Sequence, residues 1–191
     1  MLPLYLSIKG LYSYQSKQEI DFTKLTEAGL FGIFGKVGSG KSSILEAISM
    51  ALYGETERLN KSDSRGYNML NLKSDAAEIV FEVLNFNAKK YRFVVSWKRK
   101  KKYNETDPIS RKAYVWHTEQ WLPLDTFEGQ EIVGLSYENF KRTIIIPQGQ
   151  FKEFLELKET ERSNMMMQIF GLQRYNLHDK AKALLNQNQA P

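Results

Sequence analysis

The sequence predicts an α/β fold, and three observations carry that prediction. A short apolar run, Leu30 to Phe34, leads through a glycine-rich loop into a helical pattern; three later stretches alternate apolar and polar residues; and helical periodicity returns in the last third of the chain. The loop is the most informative of these. Gly35-Lys36-Val37-Gly38-Ser39-Gly40-Lys41-Ser42 fits the pattern G-x-x-x-x-G-K-[ST]. Glycines at 35, 38 and 40 permit positive φ, so that successive N–H groups can turn inward and form an anion-binding nest. Lys41 follows where an ammonium reaches β- and γ-phosphates, Ser42 offers a hydroxyl to Mg²⁺, and the helix that starts here points its positive end at the same charge. Gly35, Lys36, Val37, Gly38, Ser39, Gly40, Lys41, Ser42 and Ser43 are therefore the candidate contacts to ATP, with Mg²⁺ at Ser42. The context agrees: Leu30 to Phe34 reads as a buried strand, and Ile44, Leu45, Ile48, Ala51 and Leu52 recur at helical spacing until Gly54, a C-terminal stop.

Composition bounds the rest. With 42% hydrophobic and 13% aromatic residues, 191 residues can build the core of one domain or slightly more. The absence of cysteine excludes disulfides, thiolate zinc sites and cysteine nucleophiles, and two histidines far apart, His117 and His178, argue against a histidine metal site. No run of about 18 apolar residues suggests a membrane span, and Met1-Leu2-Pro3-Leu4-Tyr5 does not read as a signal peptide, so the expected location is the cytoplasm. A net charge of +5 is modest, and its placement matters more than its size.

In order along the chain, Leu4, Leu6 and Ile8 alternate with Tyr5, Ser7 and Lys9 as in a half-buried strand, and Glu19 to Phe22 reads as an antiparallel neighbour. The loop between them carries Tyr12, Ser13, Tyr14 and Gln15. Ser13 and Tyr14 are candidate nucleotide contacts beside a purine, although tyrosines in hairpin loops often only pack. Glu55 to Lys73 is polar and reads as a long loop. Glu78 to Phe86, Tyr91 to Lys98 and Ala113 to His117 then read as an antiparallel β-meander with one face to the core and one to water.

Within that meander, Lys98-Arg99-Lys100-Lys101-Lys102 sets five cations in a row, and Arg111 and Lys112 return on the other side. Such a run is either a solvated hairpin tip or a contact to the phosphate backbone of DNA; Lys89, Lys90 and Arg92 nearby favour DNA, bound without regard to sequence. Ser136 to Arg142 reads as a helix capped by Ser136. Ile144 to Ile146 suits a short buried strand that Pro147 ends, and Gln148 just beyond it is placed either to reach Mg²⁺ or an attacking water, or simply to satisfy backbone. Lys158 to Phe170 reads as a helix stopped by Gly171, with three consecutive methionines that fill a core or dock a partner. Tyr175 to Leu185 begins another amphipathic helix.

The nucleotide site is incomplete by the pattern. ATP hydrolysis needs an acidic residue at the end of an apolar strand and a group that orients water. The best match is Ile79-Val80-Phe81-Glu82, one apolar residue short and alternating like an exposed strand, and no Leu-Ser-Gly-Gly stretch is present. The expectation is an N-terminal part of a larger ATPase, whose remaining groups come from a later segment or another subunit.

Several segments together resemble one family. Pro3 to Gly10 with Ser13-Tyr14, Ile20-Asp21-Phe22, Gly35 to Ser43, Ala51 to Gly54, Tyr137 to Phe140, Ile146 to Phe151, Phe154-Leu155, Glu161-Arg162 and Ile169 to Gly171 are similar to SbcC, the SMC-like, ABC-type ATPase subunit of bacterial SbcCD nucleases with counterparts in break repair elsewhere. The resemblance spans nearly the whole chain in order. It implies that residues 1–172 form the N-terminal lobe of an ABC-type P-loop ATPase head and that residues 173–191 begin a long antiparallel coiled coil, with the acidic strand and signature motif beyond it. In that family Lys41 matches the phosphate lysine, Ser42 the Mg²⁺ ligand and Gln148 the glutamine that senses Mg²⁺ and γ-phosphate, so Lys41 and Gln148 are the candidate catalytic residues. ATP would be sandwiched between two heads of a homodimer, and closure would reposition the coils and an SbcD-type nuclease on double-stranded DNA. Val37, where several relatives carry Asn, and Tyr12, where some carry a basic residue, depart from the pattern. A RecF- or SMC-like DNA clamp and a non-catalytic ATP-gated interaction module are the alternatives; a small-molecule kinase would need an acidic base after the loop that the chain does not offer.

Overall fold

A computed structural model describes residues 1–26, 29–56, 58, 59, 66–144, 158–169, 177, 181, 182, 184 and 185. The chain forms two compact units, Met1–Val133 and Gly134–Pro191.

The first unit is built on a six-stranded antiparallel sheet in the order β2-β1-β3-β4-β5-β6. Its strands are β1 (Leu2–Lys9), β2 (Gln18–Asp21), β3 (Ala76–Leu84), β4 (Lys90–Lys98), β5 (Ser110–His117) and β6 (Gln120–Pro123). Alternation decides its two faces. Leu6, Ile8, Ile79, Phe81, Val83, Phe93, Val95 and Trp97 lie on one face and are buried, with Leu6 opposite Phe81 and Phe81 opposite Phe93 in register. Helix α2 (Lys41–Tyr53) packs on this face against β3 and β4, burying Ile44, Ala47, Ile48, Ala51 and Leu52. Full burial of each large side chain here stabilises by about 2–3 kcal/mol. Gly54 ends α2 at φ 69 and donates its N–H to Met50, the left-handed stop that glycine adopts most easily.

The three expected meander strands are all present, with the β3–β4 turn at Asn85–Lys89, where the Asn85 side chain accepts from the N–H groups of Asn87 and Lys89. β6 was not foreseen, because Thr118 and Glu119 make its turn with φ of 47 and 62 although neither residue favours that region. The expectations for Leu30 to Phe34 and for Glu82 are corrected. Leu30 to Phe34 is not a strand: it has no ladder partner among the described residues, and Leu30 and Phe34 are 85% and 94% exposed. Strand pairing needs a neighbour, and the edge of β1 that faces away from β3 is taken by β2. Glu82, read as exposed, is buried, because Lys90 and Arg92 from β4 close over it.

The stretch from Glu55 to Lys73 is less loop-like than its composition suggests. Thr56 and Leu59 form a bridge, Gly66–Asn68 is a 3₁₀ turn, and Leu59, Met69 and Leu70 are buried. The buried Trp97 indole donates to Gly66 O at 3.2 Å, which holds the turn against the sheet. A one-turn helix α1 (Thr23–Thr26) follows β2, and α3 (Gly129–Val133) packs so tightly that a Cβ at Gly129 would lie 2.3 Å from Leu52 O.

The second unit contains α4 (Tyr137–Thr143) and α5 (Glu159–Ile169). Ser136 caps α4 as expected, its hydroxyl accepting from Asn139 N at 3.4 Å. Ile144, expected to open a strand, instead closes α4 with αR backbone, its N–H already donated to Phe140. Ile145 to Gln148 and residues 173–176, where a coiled coil was expected to begin, lie outside the described residues.

Candidate functional site

The glycine-rich loop leads directly into α2. Gly38 and Gly40 have φ of 83 and 91, the region the pattern requires. Gly40 occupies the cap position of α2, and no side chain caps that end, so the first N–H groups of the helix remain available to an anion. Space is also tight at Gly35 and Gly40. A Cβ at Gly35 would lie 2.7 Å from Ser39 Oγ, and one at Gly40 would lie 2.6 Å from Ser13 Oγ and 2.9 Å from the Tyr14 ring. Lys41 folds back over the loop, its Nζ 2.7 Å from Gly35 O and 2.8 Å from Lys36 O. The loop thus already holds a cation over its mouth. Ser42 is exposed at the start of α2, while Ser43 is half-buried and Val37 fully exposed.

The structure brings Ser13 and Tyr14 to this loop. The Tyr14 hydroxyl donates to Gly40 O at 3.0 Å, and burial raises its pKa, keeping it a donor. The position of this pair depends on Tyr12, which adopts φ 47. Four contacts hold it there: its N–H donates to Met69 O, Asn71 Nδ2 donates to its carbonyl, its hydroxyl donates to Glu46 Oε2, and Arg58 stacks 5.4 Å above its ring. Burial first, and then the bond to Glu46, push the Tyr12 phenol well above its usual pKa. Arg58 also lies 3.6 Å from Glu46. Glu46, one and a half turns along α2 from Lys41, escaped the sequence reading because a glutamate on an amphipathic helix ordinarily faces solvent. Gln148 lies outside the described residues, so its place relative to the loop is not defined.

The basic run divides into two groups. Lys98, Lys100, Lys101 and Lys102 are exposed, as is Lys112. They sit on a hairpin that continues past β4 through the Arg99–Thr106 bridge, with Lys100 N donating to Glu105 O. Two arginines of the candidate DNA-contacting set make contacts within the fold instead. Arg99 donates to Asn71 O, Ser74 O and Tyr103 O and stacks 4.2 Å over the Tyr103 ring. Arg111 points to the helix side, donating to Leu52 O at 2.8 Å and Phe127 O at 3.1 Å and pairing with Glu128. A planar guanidinium with five donors suits carbonyls at the end of a helix, whereas lysine remains a solvated point charge. No described helix is long and apolar enough to cross a membrane.

The family model described as an AAA domain matches residues 5–190. The chain is 38% identical over 183 residues to the SbcC subunit of the SbcCD nuclease of Clostridium acetobutylicum, covering 92% of this chain and 15% of the relative. It is 37% identical to the corresponding SbcCD nuclease subunit of Bacillus subtilis, covering 92% of this chain and 16% of the relative. It is 33% identical to a probable DNA double-strand break repair Rad50 ATPase of Aquifex aeolicus, covering 91% and 17% respectively. It therefore spans about one sixth of the length of these relatives. Among solved structures, a recombination mediator RecF–ATP structure aligns with a TM-score of 0.44 at 16% identity, over 66% of this chain and 28% of that one. The chain belongs to the AAA-domain family, in which it is similar to the SbcC subunits of SbcCD nucleases.

Proposed function

We propose that this chain is the nucleotide-binding N-terminal lobe of a DNA double-strand-break repair ATPase, which binds Mg-ATP, pairs with a second head when ATP is bound, and controls an SbcD-type nuclease on duplex DNA. The observation that carries the reading is the phosphate loop itself: two glycines in left-handed backbone, an uncapped helix end, and Lys41 poised above the loop carbonyls. Lys41 would exchange Gly35 O and Lys36 O for the β- and γ-phosphate oxygens, and the N–H groups at the start of α2 would hold the same charge. Ser42 would present its hydroxyl to Mg²⁺, which would supply neutralisation of the phosphate charge. Ser13 and Tyr14 would line the nucleotide on the side of Gly40. Hydrolysis would need an acidic group and the signature motif from the C-terminal half of the larger protein, with Gln148 as the reporter of γ-phosphate. Glu82 does not supply that acid, since Lys90 and Arg92 already neutralise it.

Lys98, Lys100, Lys101, Lys102 and Lys112 would contact the DNA backbone, each phosphate contact adding about 0.9 to the slope of log affinity against log salt. Calorimetric titration of ATP into the full-length protein with and without Mg²⁺ tests the central claim. Wild type should bind ATP and Lys41→Ala should lose at least tenfold in affinity. Equal affinity in the two proteins would refute the role given to the loop.

A further inference from the structure

The sheet face opposite α2 separates its charge. Its carboxylates lie on β2 and β3, at Glu19, Asp21, Glu78 and Glu82, whereas β4, β5 and β6 contain no acidic residue. On the outward side these three strands carry Lys90, Arg92, Lys98 and Lys112. Lys90 and Arg92 share the single carboxylate of Glu82, which leaves the cluster with a net positive charge.

Aromatic rings stand in the same half. Trp116 on β5 is directly opposite Trp121 on β6 in register, and their rings meet edge to face at 5.0 Å. The Arg92 guanidinium lies 4.1 Å over the Trp121 ring, and Lys90 Nζ lies 5.2 Å from Trp121 and 5.8 Å from Trp116. Trp121 is covered by these cations. Trp116 remains 42% exposed. From the basic hairpin tip outward along β5, Lys112, Tyr114 and Trp116 follow one another on this face at about 7 Å per step.

An exposed ring beside a row of cations on a sheet face suits an unpaired strand. Trp116 can stack a base and the neighbouring cations can meet phosphates, whereas the bases of an intact duplex are sealed in their own stack. We propose that the outward face of β4–β6, centred on Trp116, binds the single strand of a frayed or overhanging DNA end. This rests on the reading that the lysines of the adjoining tip contact DNA, and it adds the form of DNA recognised beyond them.

Fluorescence anisotropy of the full-length protein with a labelled oligothymidine and with a blunt duplex closed by hairpins at both ends tests it. Trp116→Ala should weaken oligothymidine binding about tenfold and change duplex binding by less than twofold, and Trp116→Phe should recover most of the loss. Unchanged oligothymidine affinity in Trp116→Ala, or an equal loss for both DNA forms, would overturn the proposal. So would wild-type protein that binds the duplex but not the oligomer, a result that leaves the tip reading intact. Binding of neither form would overturn both. If Trp116→Ala also loses ATP affinity, Trp116→Phe decides: it must retain oligothymidine binding, and failure to do so overturns the proposal.

Discussion

Replacing Gly40 with alanine puts the phosphate loop under a defined load. Gly40 has φ 91, and its missing Cβ would fall 2.6 Å from Ser13 Oγ and 2.9 Å from the Tyr14 ring. An alanine held in left-handed backbone costs about 1–2 kcal/mol. Relieving the contact moves Tyr14 away from Gly40 O, at about 1 kcal/mol for the lost hydrogen bond. Together these set about 2–3 kcal/mol against the loop conformation to which phosphate binding is assigned above, which corresponds to ATP binding weakened by roughly 30- to 150-fold. Calorimetric titration of Mg-ATP into the full-length Gly40→Ala protein measures this. Gly40→Ala that binds ATP within twofold of wild type would refute the assignment of this loop geometry to phosphate binding.

Two further outcomes follow from half-buried side chains. Arg111→Met removes the donors to Leu52 O and Phe127 O and the pair with Glu128, so stability to urea should fall by about 2–4 kcal/mol while duplex affinity holds; a loss of DNA binding without loss of stability would return Arg111 to the DNA-contacting group. The folded Tyr12 phenol has a pKa above the unfolded value of about 10. Both states are protonated below pH 10, and above it the unfolded state releases its proton first, so the stabilisation present below pH 10 is lost as pH rises. Tyr12→Phe should reduce by one proton the slope of stability against pH above that point, and an unchanged slope would refute a Tyr12 phenol held protonated by the fold.

Much of the fold was legible because its signals are local. The alternation in Ile79, Phe81 and Val83 and in Phe93, Val95 and Trp97 has period two, and burial on one face is all that such a pattern requires. Gly54 and Ser136 mark helix ends through bonds made within four residues. What was missed needed knowledge of neighbours. Leu30 to Phe34 is apolar enough for a strand, but a strand exists only where another backbone completes its ladder. The turn before β6 places Thr and Glu at positive φ and so carries no glycine or asparagine to announce it.

The glycine-rich loop pattern was legible in the linear order of residues, because glycine spacing and a following lysine act through the backbone over eight residues and need nothing distant. So was a basic tip, since five consecutive cations cannot all be buried. Which cations remain at that tip depended on the folded neighbours. Arg99 and Arg111 are drawn to carbonyls at Asn71, Ser74 and Leu52, 25 to 59 residues away in sequence, whereas the lysines stay in water. The same is true of Glu82, whose burial is created by Lys90 and Arg92 across the sheet, and of Ser13 and Tyr14, which meet Gly40 only because Tyr12 is clamped by Glu46, Met69 and Asn71. Pairings of this kind depend on which segments the fold brings together, and a linear pattern does not contain that information.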